Sequence, residues 1–186
     1  YALYVGFFPQ LIAGPIVRAW EIVPQFENFT GDKKFWRNFA CGSALFAMGL
    51  FKKAVIADNL AFYASPIFAI AEKGGNLSFF DGWSGALAYT FQLYFDFSGY
   101  SDMALGLALM LGFVLPINFL SPYKSTSVSD FWRRWHITMS RFFRDYLYIP
   151  LGGSQRSCSR TIFNLMVTML LAGLWHGAGW TFAAWG

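Results

Sequence analysis

The stretch TIFNLMVTMLLAGLWHGAGWTFAAWG, Thr161–Gly186, runs for 26 residues without an Asp, Glu, Lys or Arg. A bilayer's hydrocarbon core takes roughly 20 apolar helical residues to cross, so this is the clearest transmembrane candidate in the chain. The composition agrees with that solvent. Of 186 residues 56% are hydrophobic, 21% aromatic and 13% charged, where an ordinary soluble domain carries about 25% charge. A soluble fold of this length would need a polar exterior that so few charges can barely supply.

Working outward, further apolar stretches are separated by polar joints. Residues 1–13 read as the end of a span, broken by Gly14-Pro15, with Arg18, Glu21 and Glu27 marking a wet loop. Phe39–Phe51 is apolar over 13 residues. It is either a partial or tilted span, or it continues past Lys52 and Lys53, whose side chains can snorkel, through Val55 to Ala71. After the turn at Gly74-Gly75-Asn76, Trp83–Phe95 and Met103–Leu115 are two uncharged runs of 13 residues each. Between them lies Asp96-Phe97-Ser98-Gly99-Tyr100-Ser101-Asp102. Carboxylates at membrane depth are costly facing lipid, so this segment reads as a discontinuous helix lining a hydrophilic pocket or as a short turn between partial spans.

From Phe131 the pattern is that of an amphipathic helix. At 100° per residue Phe131, Trp132, Trp135, His136, Met139, Phe142, Phe143 and Tyr146 fall within an arc of about 140°. Arg133, Arg134, Ser140, Arg141, Arg144 and Asp145 occupy the other side. Ser129 or Asp130 is the expected N-cap, and Gly152-Gly153 after Pro150 ends the segment.

Seven of the 14 basic residues lie between Lys124 and Arg160, opposed by Asp130 and Asp145 alone, which places this stretch on the cytoplasmic side. Trp and Phe interleaved with Arg beside apolar spans fit a membrane interface, with lipids as partners, better than nucleic acid. Cys41 and Cys158 match no metal-ligand spacing and read as buried thiols, so no metal site or disulfide is expected. The chain starts at Tyr1 without a basic leader and stops at Gly186 inside an apolar run, as expected of an interior portion, truncated at both ends, of one larger membrane domain.

The chain has two histidines, and His176 lies 16 residues past Arg160, roughly 24 Å along a helix. An ionisable group so placed is a functional-site candidate, although an isolated histidine is commonly a satisfied core residue or an interfacial anchor. An imidazole desolvated by Trp175 and Trp180 is suited to act as a general base near neutral pH.

Five segments together resemble the membrane-bound O-acyltransferase family. They are Phe8–Ile16 (FPQLIAGPI), Phe95–Asp102 (FDFSGYSD), Asp130–His136 (DFWRRWH), Phe143–Gly153 (FRDYLYIPLGG) and Ala172–Trp180 (AGLWHGAGW). Three of them, Phe8–Ile16, Phe95–Asp102 and Phe143–Gly153, are similar to the bacterial alginate O-acetyltransferase branch, which acetylates polysaccharide or peptidoglycan. The resemblance implies an all-α polytopic membrane protein, a ring of transmembrane and interfacial helices around a thinned funnel, of which this chain would be a fragment. It implies catalytic roles for His176 and for His136, a position the family sometimes fills with Asn or Asp.

On that reading Arg133, Arg134, Trp175, Asp96 and Asp102 contribute to substrate binding. No cofactor is resident, and acetyl-CoA is the expected acyl donor substrate. The acceptor is an exported polysaccharide such as alginate, reached with an exported acetyltransferase partner from the bacterial cytoplasmic (inner) membrane. Two alternatives stay open: D-alanyl transfer to teichoic acid by a related branch, and a transporter or flippase subunit gated at Asp96–Asp102. The charge asymmetry gives a direct test of orientation. Ser154→Cys in intact cells should stay unlabelled by an impermeant thiol reagent, above the background of the parent chain, and become labelled once the membrane is opened; labelling from outside would reverse the topology.

Overall fold

The computed structural model describes residues 1–29, 34–177 and 179–186. All regular structure among them is helical, and the chain forms two compact units, Tyr1–Phe119 and Leu120–Gly186.

The first unit contains α1 (Ala2–Gly6), α2 (Ala19–Glu27), α3 (Phe35–Leu50), α4 (Asp58–Glu72) and α5 (Phe79–Met110). A π-helical stretch, Phe51–Ala57, joins α3 to α4 without a break, so Phe35–Glu72 is one rod of 38 residues. At 1.5 Å per residue it is about 57 Å long, more than a hydrocarbon core needs. Of the two readings of Phe39–Phe51, the one that continues past the lysines is correct.

Other expectations need correction. Helix α1 stops at Gly6, and a 3-10 turn over Phe8–Gln10 follows, because Pro9 supplies no amide hydrogen and fixes its own φ. The loop expected around Arg18–Glu27 is α2. Its start is fixed by the Arg18 backbone N–H donating to Glu21 Oε2 at 2.9 Å, and its end is clamped by Gln25, which exchanges two 2.9 Å hydrogen bonds with the backbone of Val114. Ile22 lies fully buried with Phe7, Val17, Ala108 and Leu115 in a small apolar core. Both thiols, Cys41 and Cys158, are exposed rather than buried.

The discontinuity expected at Asp96–Asp102 does not exist: α5 runs unbroken for 32 residues, and its N-terminus is closed by a capping box between Ser78 and Asp81. The carboxylates are instead satisfied across helices. Lys52 Nζ lies 2.5 Å from Asp102 Oδ2, and Lys53 Nζ lies 2.7 Å from both Asp96 and Asp58. An intact helix can keep acids in its middle when a neighbouring rod brings cations to them.

The two rods can come that close because glycine faces glycine. A Cβ on Gly49 would stand 2.5 Å from the carbonyl oxygen of Gly99, and one on Gly42 2.6 Å from that of Gly106. Buried positions of α5 are small throughout, namely Gly85, Ala88, Ser98, Gly99, Ser101, Ala104, Gly106 and Ala108. Large apolar side chains such as Phe62, Tyr63 and Phe91 point outward. Small residues inside and large apolar ones outside is the packing of helices whose solvent is lipid.

The second unit contains α6 (Val128–Arg134), α7 (Ile137–Phe143), α8 (Cys158–His176) and α9 (Trp180–Trp185). Helix α8 repeats the inverted pattern: Asn164, Thr168, Ala172 and Gly173 are buried, whereas Phe163, Leu165, Met166 and Leu174 are exposed. It is long and apolar enough to cross a bilayer, as is Phe35–Glu72.

Asp102 is about half as exposed as Asp96 (24% against 48%) and has Lys52, while Asp96 shares Lys53 with Asp58. Asp102→Asn should therefore lower the yield of folded full-length protein in detergent more than Asp96→Asn, by roughly 1–3 kcal/mol of lost pairing. Equal, wild-type behaviour of both variants would mean that the ion pairs do not hold the rods together.

Candidate active site

Both histidines belong to the second unit. Helix α6 is capped by Ser127, whose hydroxyl accepts from the Asp130 N–H at 3.1 Å, two residues before the nearer of the two expected caps. Arg134 Nε donates to Asp130 Oδ2 at 2.9 Å, one turn on, and this guanidinium holds the Asp130 carboxyl below its usual pKa. The expected continuous helix through Tyr146 is broken, so the predicted arc is not one face. Trp135 is extended, and His136 takes the left-handed conformation, φ 41° and ψ 56°, before α7 begins. A residue with a Cβ adopts that conformation at a cost, least for Asn, Asp and His. Such strain survives where packing fixes it: Trp135 stacks on Phe131, with centroids 5.7 Å apart at 14°.

The elbow turns His136 inward, to 5% exposure. Burial, with a smaller contribution from the charge on His176, pushes its pKa from 6.5 down to about 4. It is therefore a buried, neutral imidazole, on the protein side where the apolar arc placed it, although the helix expected to carry that arc is broken.

His176 ends α8 and is exposed. Its ring lies edge-on between two indoles, Trp175 and Trp185, each 5.1 Å away between centroids. Trp185 also meets Trp132 of α6 at 6.2 Å, and Trp175 meets Phe143 of α7 at 6.3 Å. The two indoles thus tie the end of α8 to the helices on both sides of the His136 elbow. Among the described residues no hydrogen bond engages either nitrogen of His176, which leaves the ring available to a substrate.

Trp180, expected beside His176, is 91% exposed, and Trp185 takes its place. The chain folds back after Gly177, and α9 returns along α8 closely enough that a Cβ on Gly177 would stand 2.5 Å from the Phe182 ring. Only the glycines around His176 hinted at this in the sequence.

The sequence matches the model of the membrane-bound O-acyltransferase family over residues 1–186. The chain belongs to that family. It is 55% identical over 186 residues to a peptidoglycan O-acetyltransferase of Helicobacter pylori, a match covering 100% of this chain and 35% of that protein. It is 53% identical over 188 residues to a probable alginate O-acetylase of Pseudomonas aeruginosa, covering 100% and 34%. A teichoic acid D-alanyltransferase of Bacillus subtilis is 29% identical over 185 residues, covering 94% and 45%. The chain thus spans about a third of the length of the first two relatives.

The second unit brings together His136, His176 and Trp175. Arg134 is committed to Asp130 on α6, and Arg133 beside it is exposed. Asp96 and Asp102 belong to the first unit, each engaged by a lysine. Among the described residues no group of three or more His, Cys, Asp or Glu is gathered as a metal site would require.

The low proton affinity of His136 has a measurable consequence. Between pH 6.5 and about 4 the unfolded chain binds a proton that folded His136 refuses. Its contribution to stability is complete above pH 6.5 and is lost as the pH falls through this window, on the order of 3 kcal/mol in all. Thermal unfolding of the full-length protein from pH 7.5 to 4.5 should be steeper in wild type than in His136→Asn, a residue that tolerates the same backbone. Parallel curves would assign the acid sensitivity elsewhere.

Proposed function

We propose that this chain is the catalytic portion of an O-acetyltransferase of the bacterial inner membrane, moving acetyl from a cytoplasmic thioester, acetyl-CoA, toward hydroxyls of an exported glycan. The observation that carries the reading is the pair of imidazoles, one buried and neutral and the other unengaged at a helix end, on a chain of this family. The higher identity to proteins named for peptidoglycan and alginate acetylation than to the D-alanyltransferase favours acetyl as the group moved. The proposal includes the helical ring around a funnel that the resemblance implies, an exported acetyltransferase as partner, and a glycan such as alginate or peptidoglycan as acceptor. The transporter reading loses its premise, because α5 has no break to serve as a gate.

In the proposed step the acceptor hydroxyl oxygen attacks the thioester carbonyl carbon while His176 takes the hydroxyl proton. A C–O bond forms, the carbonyl oxygen becomes an oxyanion, and collapse breaks the C–S bond. The departing thiolate then recovers the proton from His176. His136 stays neutral beside it and can donate a hydrogen bond to developing charge. The acyl group ends on the acceptor oxygen, and the donor leaves as its free thiol.

His176→Ala should leave the full-length protein inserted and folded, with labelled acetyl transfer in membranes falling by about 10²–10⁴, the usual loss of a general base. His136→Ala should reduce transfer less completely. Near wild-type transfer by His176→Ala would remove the catalytic assignment.

A further inference from the structure

The second unit contains a cavity of about 520 Å³ lined by Pro150, Leu151, Gly152, Arg156, Ser157 and Arg160. Its wall is built rather than incidental. Gly153 donates to the Tyr148 carbonyl and Gly152 to that of Ile149, each at 2.9 Å, and the fully buried Asn164 donates through Nδ2 to the Gly153 carbonyl, also at 2.9 Å. Gly152 has φ +110°, and a Cβ there would meet Arg156 Nε at 3.5 Å. The turn therefore presents bare backbone beside a guanidinium.

The charges are arranged against local stability. Asp130 and Asp145 are engaged by Arg134 and Arg144. Neither Arg156 nor Arg160 has a carboxylate among the described residues, and Arg160 reaches only the Leu151 carbonyl, at 3.4 Å, and the Phe163 ring. Both stand at the start of α8, where the helix dipole is already positive and cations are unfavourable. Two unpaired cations on a cavity wall at that end leave a deficit that an anion would fill, and guanidinium groups match phosphate oxygens in pairs.

We propose that Arg156 and Arg160, with the Gly152–Gly153 turn as wall, form a phosphate-binding site that holds the phosphate-bearing end of the acyl donor. This rests on the acetyl-CoA reading above and moves the donor-anchoring role from Arg133 and Arg134 to a different pair. Arg160 and His176 lie on one helix, 16 residues apart, or about 24 Å. That separation suits a donor whose phosphates and thioester are joined by a long flexible arm. A lipid headgroup offers the same phosphate chemistry, so the test must separate the two sources.

The full-length protein in nanodiscs of phosphatidylcholine alone, and of phosphatidylcholine with phosphatidylglycerol, is titrated with adenosine 3′,5′-bisphosphate. Arg156→Gln and Arg160→Gln should each weaken probe binding roughly tenfold in both discs, one charge-assisted hydrogen bond being worth about that factor. Arg156→Lys should retain part of it. The preference for acetyl-CoA over a phosphate-free acetyl thioester, read as the ratio of KM values, should shrink by a similar factor. Equal probe binding by wild type and variants, or none by wild type, overturns the site. Variants that change only phosphatidylglycerol binding assign the site to lipid and overturn the donor role. Probe binding that needs both arginines in a protein that transfers acetyl from no thioester leaves the site standing and removes the acetyltransferase reading instead.

Discussion

Backbone-to-backbone contact between helices is the constraint from which most of the remaining structure follows. Lipid tails are as apolar as leucine, so burying large apolar side chains gains little in a bilayer, and association depends on how closely two helices can approach. Gly42 against Gly106 and Gly49 against Gly99 bring α3 and α5 to carbonyl contact. That approach sets the register at which Lys52 meets Asp102 and Lys53 meets Asp96. The ion pairs are a result of the glycine seam: without it the acids of α5 would face no cation. The π-helical stretch at Phe51–Ala57 lies where both lysines must reach the same neighbour, and such stretches widen a helix and re-aim successive side chains.

In the second unit the same device positions His176. The return of α9 along α8 needs small residues at Gly173 and Gly177, and it carries Trp185 back onto His176. Aromatic rings do the rest of the positioning. Trp132, Trp185, His176, Trp175 and Phe143 form a chain of edge contacts from α6 through the end of α8 to α7. Rings have few rotatable bonds, so they fix an imidazole at lower entropic cost than flexible side chains would.

Much of this was legible in the sequence, for an identifiable reason. Charge-free length gave α8, the charge-sparse stretch beyond Lys53 allowed a continuous Phe35–Glu72 rod, and both histidines stood out as rare ionisable groups beside apolar runs. Hydropathy sums along the chain, however, and carries no information on partners. The pairing of Asp102 with a lysine 50 positions away is tertiary, and without it Asp96–Asp102 resembled a break. The left-handed turn at His136 has no composition signature, since glycine is absent there and the flanking residues continue the helical period. Trp180 is nearer to His176 in sequence than Trp185 is, but proximity along the chain does not decide contact where α9 returns along α8.

The two imidazoles differ in environment in a way that suits the proposed transfer. When His176 takes the proton of the attacking hydroxyl, any positive charge next to it opposes that transfer. A solvated second histidine, with a pKa near 6.5, would carry such a charge for part of the time at neutral pH. The elbow between α6 and α7 buries His136 and lowers its pKa to about 4, so it would remain neutral through the proposed proton transfer to His176. The same elbow strains the backbone, and that cost is borne by the Phe131–Trp135 stack on one side and by the hydrogen bond from Ser140 N–H to the His136 carbonyl on the other. The conformational cost at His136 is therefore inseparable from its protonation state: a straight helix from Phe131 to Tyr146 would relieve the strain and place His136 at the edge of an amphipathic face, where it would titrate with the solvent and compete with His176 for the proton.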